Sequence, residues 1–223
     1  MERYNLTING LSPLLMHQDN ISFSEKIKAW QKDPANKELS VAGDDRSPAY
    51  TWLGYIYHDG KYLGMPADNM MTMFREGGAK VKSGNGKETY KKQTQAGIMM
   101  DQQQMQLLVG GKPIEIAPFN NLIGVHDFLK HIEAAENAGF ELLVKRAKVG
   151  QSKHVRVRPL FRQWTLVGSF TVMDEEVSGL TEPVLRLILA QAGALVGMGD
   201  WRPSSPKSSG TFGRFEFMLE RIG

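Results

Sequence analysis

The chemistry legible in this sequence is carried by positive charge. Six Lys and Arg and no acid stand between residues 145 and 158, "KRAKVGQSKHVRVR". Five Lys and one Glu occupy 80–95, "KVKSGNGKETYKKQTQ", and three basic residues and one Asp occupy 200–214. These windows carry +12 in a chain whose total is +3, so the remainder carries −9. Cations gathered on an otherwise acidic body suit a polyanion, and each phosphate they neutralise steepens the salt dependence of binding. The first window offers Lys145, Arg146, Lys148, Lys153, His154, Arg156 and Arg158 as a finger gripping a strand. Strict alternation in "VRVRP" places Arg156 and Arg158 on one side and Val155 and Val157 on the other. The second offers Lys80, Lys82, Lys87, Lys91 and Lys92 in a Gly-rich loop that orders on contact with nucleic acid. The competing reading of each run is a solvated face.

The third window lies in "GMGDWRPSSPKSSGTFGRFEF", Gly197–Phe217. Gly197 and Gly199 would let the main chain approach a phosphate and present N–H groups to it. Arg202, Lys207 and Arg214 add charge, and Trp201 can stack on a base. The competing reading is a surface loop with Trp201 folded into the core.

Other chemistry is thin. "HQDN" sets His17 near Asp19, and "GDDR" pairs Asp44 with Asp45, which are candidates for general acid–base work. The five histidines show no HExxH spacing, and no P-loop or G-x-S-x-G is present. His126 and His131 fall on different faces of a helix expected from about 124 to 139. The absence of cysteine excludes thiolate sites and disulfides. We therefore expect no metal and no cofactor. No apolar run approaches a membrane span and the first residues lack a leader pattern, so a cytoplasmic protein is expected.

The elements that must position these residues follow from periodicity. "RYNLTING" alternates as an opening strand. "SFSEKIKAWQKDP" reads as an amphipathic helix capped by Ser24, with Ile27 and Trp30 on one face. "TWLGYIYHDGKYLGMP" places two apolar runs around an Asp-Gly turn. In "PADNMMTMFREGG" Met70, Met73 and Phe74 share a helical face, and Gly77-Gly78 stop the helix. "MQLLVGGKPIEI" reads as a hairpin around Gly110-Gly111, and "TEPVLRLILAQAGALVG" is a buried helix capped by Thr181, with Gly193 under a close neighbour. Strands over 3–9, 142–158, 164–173 and 212–222, with helices over 66–77 and 181–196, give β-α-β-β-α-β. That is the order of an α+β, ferredoxin-like or RRM-like fold with an antiparallel sheet. One domain over 1–223 is expected, with insertions at about 10–65 and 78–140. Its open sheet face beside basic hairpins would be a platform for a single strand.

The glycine loop between the second helix and the last strand, with Gly197, Gly199, Gly210 and Gly213, resembles that of the RAMP superfamily, the RRM-fold proteins of CRISPR antiviral systems. "GMPADNMMTMFREGG" adds to the resemblance, with Pro66 opening the first helix and a basic residue, Arg75, nine positions on. The chain is similar to the backbone subunits that polymerise along guide RNA, or to a phage or mobile-element relative of them. The resemblance implies a non-enzymatic binder of single-stranded nucleic acid, RNA in the first place, forming homo-oligomers along the strand beside other effector subunits. It also implies an alternative, a metal-independent endoribonuclease using His17, Asp19, Asp44 or Asp45. A phage structural protein or single-stranded DNA-binding or annealing protein is a third reading.

Overall fold

The computed structural model describes residues 1–84, 86–149, 152–206 and 209–222, with side chains throughout these except at 148, 149, 152 and 153. The opening strand β1 (Glu2–Gly10) buries Tyr4, Leu6 and Ile8 by strict alternation. A short β2 (Leu14–Leu15) leads to α1 (Ile21–Lys32). The cap of α1 is Asn20, whose side chain accepts from Phe23 N–H, and not the expected Ser24. β3 (Gly64–Pro66) runs straight into α2 (Ala67–Gly78), which buries Met70, Met73 and Phe74 as its spacing requires. Next come α3 (Lys91–Gly97), β4 (Ile98–Met100), β5 (Gln104–Val109), β6 (Lys112–Pro113), α4 (Ala117–Asn120) and α5 (Phe128–Asn137). The chain ends with β7 (Glu141–Val149), β8 (Ser152–Phe161), β9 (Thr165–Val172), α6 (Glu175–Ser178), α7 (Glu182–Gln191) and β10 (Phe215–Arg221).

The protein is α+β with mostly antiparallel sheets. The larger sheet has the order β10-β1-β9-β5-β3. β4 and β5 succeed one another along β9, opposite Phe170–Val172 and Thr165–Val167 respectively. Helices α2 and α7 cover one face. Phe74 meets Phe170 edge-on at 4.9 Å, and Phe170 stacks on Tyr4 at 5.5 Å. Gly77 lets α2 lie directly on α7, since a Cβ there would stand 2.9 Å from Ile188 O. The other face carries Arg3, Asn5, Thr7 and Asn9, flanked in register by Glu216, Met218 and Glu220 on one side and Thr165, Val167, Ser169 and Thr171 on the other. No aromatic ring stands among these residues, and two of them are glutamates. The chemistry of this face is therefore that of a hydrated surface and not of a base-stacking platform.

The structure corrects the expected strand at 142–158. Those residues form the hairpin β7–β8, which pairs with β2 in a separate three-stranded sheet, order β2-β8-β7. The place beside β9 is taken by β5. The run Ala49–Tyr55 is a 3-10 helix and not a strand, because a continuous apolar run has no periodicity to separate the two. It brings Trp52 into a second apolar cluster, edge-on to Phe119 and Phe140 at 5.8 and 5.9 Å. α7 ends at Gln191 and passes into a π turn, Ala192–Val196. Gly193 sits there because a Cβ would lie 2.2 Å from Phe215 O of β10. Among the described residues, no helix is long and apolar enough to cross a membrane.

Candidate nucleic-acid interface

The segment 197–214 joins the π turn to β10, and the glycines expected to admit a phosphate serve the protein instead. A Cβ at Gly213 would stand 1.8 Å from Met198 O, one at Gly210 1.5 Å from Trp201 O, and one at Gly199 2.4 Å from Leu15 O. The loop folds on itself and on β2 at distances only glycine permits, with positive φ at Gly197, Gly199 and Gly213. Several of its amides are turned inward as well. Gly197 N–H donates to Ala192 O, Met198 to Gly213 O, Asp200 to Leu15 O and Gly213 to Pro13 O, all at 2.8–2.9 Å. Of the two amides expected to face a phosphate, that of Gly197 is engaged by Ala192 O. Trp201, at φ 48, is held in the left-handed region.

Three depressions share this loop as a wall. One, of about 400 Å³, lies between Lys145, Arg146 and Ala147 of β7 and the loop residues Trp201, Gly210 and Phe212. In it the Lys145 ammonium rests 4.7 Å over the indole of Trp201, and Phe212 stacks on the same indole at 6.3 Å. The Trp201 ring is therefore packed, and a base would have to displace Lys145 to stack there. The second, of about 270 Å³, is lined by His17, Tyr57, Asn69, Asp200 and Arg202. The third, of about 520 Å³, is lined by Arg75, Glu76, Lys80, Lys91 and Ser204. Arg202 links the last two by donating to Ser204 Oγ at 3.0 Å and Glu76 Oε1 at 3.4 Å. The three basic windows, far apart in sequence, thus converge on one loop.

Behind the loop lies a charge network. Asp45, 6% exposed, accepts from Arg156 Nη1 at 2.8 Å, Arg158 Nη1 at 2.9 Å, Val157 N–H at 3.1 Å and Tyr55 Oη at 3.2 Å. Arg158, 9% exposed, also lies over the Tyr55 ring at 4.1 Å and reaches His17 Nε2 at 3.3 Å. Guanidinium only donates, so His17 Nε2 accepts and the imidazole proton sits on Nδ1. That nitrogen faces Asp200 Oδ2 at 3.5 Å. Burial acts to raise the Asp200 pKa, but the hydrogen bond from His17, the Trp201 N–H and the Arg158 charge outweigh it and hold the carboxyl below its ordinary range. Burial, with Asp45 beside it, pushes the Tyr55 hydroxyl up. Both His17 nitrogens thus face protein groups.

Arg156 and Arg158 do share a side, as alternation requires, but that side is Asp45. Lys145 and Arg146, on β7, are exposed, and Lys145 lies opposite Arg156 in register. The side chains of Lys148 and Lys153, and Lys207 entirely, lie outside the described residues. Arg214 is anchored, its guanidinium donating to Ala194 O and its amide to Ser12 Oγ at 2.9 Å. Lys91 and Lys92 sit on α3 and not in a loop, and Lys92 turns toward Met173 and Val177. Asp44 is held below its ordinary range, chiefly by the hydrogen bond from Arg46. Asp19 is exposed, and His126 stacks on Trp30 at 5.2 Å. His131 is buried, its Nδ1 accepting from Trp52 Nε1 at 3.0 Å and its Nε2–H donating to Val125 O at 2.8 Å. Burial is the main reason that its pKa is lowered. Sequence reasoning missed Asp45 as a hub, with Tyr55 donating to it, and Tyr57, which donates to His17 O at 3.0 Å. The available signal was an Asp-Asp pair in a chain whose densest basic run lacks any acid of its own. Among the described residues, no three His, Asp or Glu gather as metal ligands. No known family model matches the sequence, and no curated protein matches it.

Proposed function

We propose that the protein binds single-stranded nucleic acid, RNA in the first place, along the glycine loop, and that it binds without cutting. The observation that carries this reading is the convergence of Lys145 and Arg146, of Arg202, and of Arg75, Lys80 and Lys91 on depressions that share the segment 197–214 as a wall. Cations spaced along one ridge suit a chain of phosphates better than a compact anion.

A ferredoxin-like core is part of the proposal. Its support is the run β10-β1-β9-β5, in which β1, α2, β5, β9, α7 and β10 can be taken as the six elements of β-α-β-β-α-β. On that reading the hairpin β7–β8 and the segments bearing α1 and α5 are insertions, and the glycine loop joins the second helix to the last strand as in the RAMP superfamily. Association of copies along the strand, beside other effector subunits, follows from that resemblance.

The test is fluorescence anisotropy of the full chain with a labelled single-stranded RNA, the same sequence as DNA, and a duplex, at low and moderate salt. The reading expects saturable binding to a single strand that weakens steeply with salt. Equal, weak binding to all three would contradict it.

A further inference from the structure

A second pocket, of about 300 Å³, opens between α1, the segment 43–55 and β8, apart from the glycine loop. Two of its walls are rings laid against glycines. Phe23 rests on Gly54, where a Cβ would stand 2.4 Å from the ring, and His154 rests on Gly43, where a Cβ would stand 2.5 Å from Nδ1. Buried Ile27 adds apolar surface, and the size sits at the lower end of small-ligand sites, about 300–1,000 Å³.

The charges around it are already matched. Asp44 is held by Arg46, and Asp45 by Arg156 and Arg158. Lys28, also in the wall, pairs with Glu25 at 3.2 Å, and a phosphate entering here would meet two carboxylates whose cations are committed, so the pocket disfavours anions. Polar groups remain in the wall. Gln31 donates its amide N–H to Ser47 O at 2.9 Å, which leaves its carbonyl oxygen as an acceptor. His154 Nδ1 is buried and, among the described residues, lacks a hydrogen-bond partner, an unmet group that costs stability until something satisfies it. Two ring walls, balanced charges and a lining as polar as it is apolar describe the site for a neutral, planar, hydrogen-bonding heterocycle.

We propose that this pocket takes a nucleobase of the bound strand. The proposal rests on the strand-binding reading above, and it places a base-accepting site beside the hairpin that carries Lys145 and Arg146, against His154 and Arg156 of β8. Phosphates on the glycine loop and a base beside α1 would be held by separate residues.

The experiment compares an oligonucleotide with its abasic counterpart, which keeps every phosphate and lacks the bases, on the full chain and on Ser24→Trp. Ser24 is exposed on α1 at the pocket, so an indole there fills the pocket without entering the core. Lys28→Trp, at a second exposed position of the same wall, serves if the first variant misfolds by circular dichroism. Free nucleosides form a separate arm, read by saturation-transfer NMR. The proposal expects the normal strand to bind about tenfold tighter than the abasic one, with Ser24→Trp removing that advantage and leaving abasic binding unchanged. Equal binding of the two strands, or an advantage that survives both Trp variants, overturns the pocket while leaving the strand-binding reading intact. If neither strand binds, that reading falls. Saturable nucleoside binding abolished by Ser24→Trp would then still support the pocket, and its absence would end both.

Discussion

The two strands of one hairpin each carry a pair of basic residues, and the pairs do different work. Arg156 and Arg158 on β8 turn toward Asp45, which also receives Val157 N–H and Tyr55 Oη. Lys145 and Arg146 on β7 stay exposed, with Lys145 reaching across to Trp201. In sequence all four belong to a single acid-free run. The difference arises because the acid that neutralises β8 lies more than a hundred residues away, delivered by the loop before the 3-10 helix. A run of like charge can therefore hold both a buried structural pair and a solvent-facing contact surface, and only the third dimension sorts them.

The sharpest way to break that contrast is to remove the acid. Asp45→Ala leaves buried Arg158 with only the more distant Asp200, at 3.9 Å, and we expect about 3 kcal/mol of lost stability in urea denaturation. Lys145→Ala and Arg146→Ala should each change stability by about 0.5 kcal/mol or less. Similar losses at all of these positions would erase the distinction.

The glycine loop comes next. Gly213→Ala puts a Cβ onto Met198 O at a φ of +73, and we expect about 1–3 kcal/mol of destabilisation with earlier proteolysis in the segment 197–214. A neutral outcome would mean that the loop accommodates a side chain and is not locked on itself.

A smaller effect separates the Trp52 cluster from the interface. His131 is neutral when folded, its pKa lowered mainly by burial, whereas the unfolded chain titrates near the usual value of about 6.5. Below that pH the unfolded state takes up a proton that the folded state resists. The His131 contribution is thus fully present above about 6.5 and is lost as pH falls toward the lowered folded value. Urea titrations at falling pH should show this loss, and His131→Gln should remove that component.

Much of the fold can be read from periodicity. The Met70, Met73 and Phe74 face of α2, the alternation of β1, the turn at Gly110-Gly111 and the close approach at Gly193 all depend on local spacing or on a residue with one physical use. The hairpin β7–β8 reads as part of a single sheet because alternation gives a strand its faces but not its partners. The 3-10 helix at 49–55 escapes a sequence reading because an unbroken apolar run suits either geometry. For the site, the basic windows are visible as composition. The fate of Arg158 is not, since burial of a charge depends on a partner distant in sequence. The glycines of 197–213 stand out as necessary but invite assignment to a ligand, because close approach by a phosphate and close approach by the chain's own carbonyls place the same demand on sequence.

The central claim is that the exposed cations beside the glycine loop contact phosphates. The most direct measurement is the slope of log affinity against log salt for a single strand binding to the native chain and to Lys145→Ala/Arg146→Ala. The account predicts a native-like fold, weaker binding, and a slope shallower by about 0.7 for each phosphate that the variant no longer neutralises. An unchanged slope in a folded double variant would contradict it and remove this face from the binding surface.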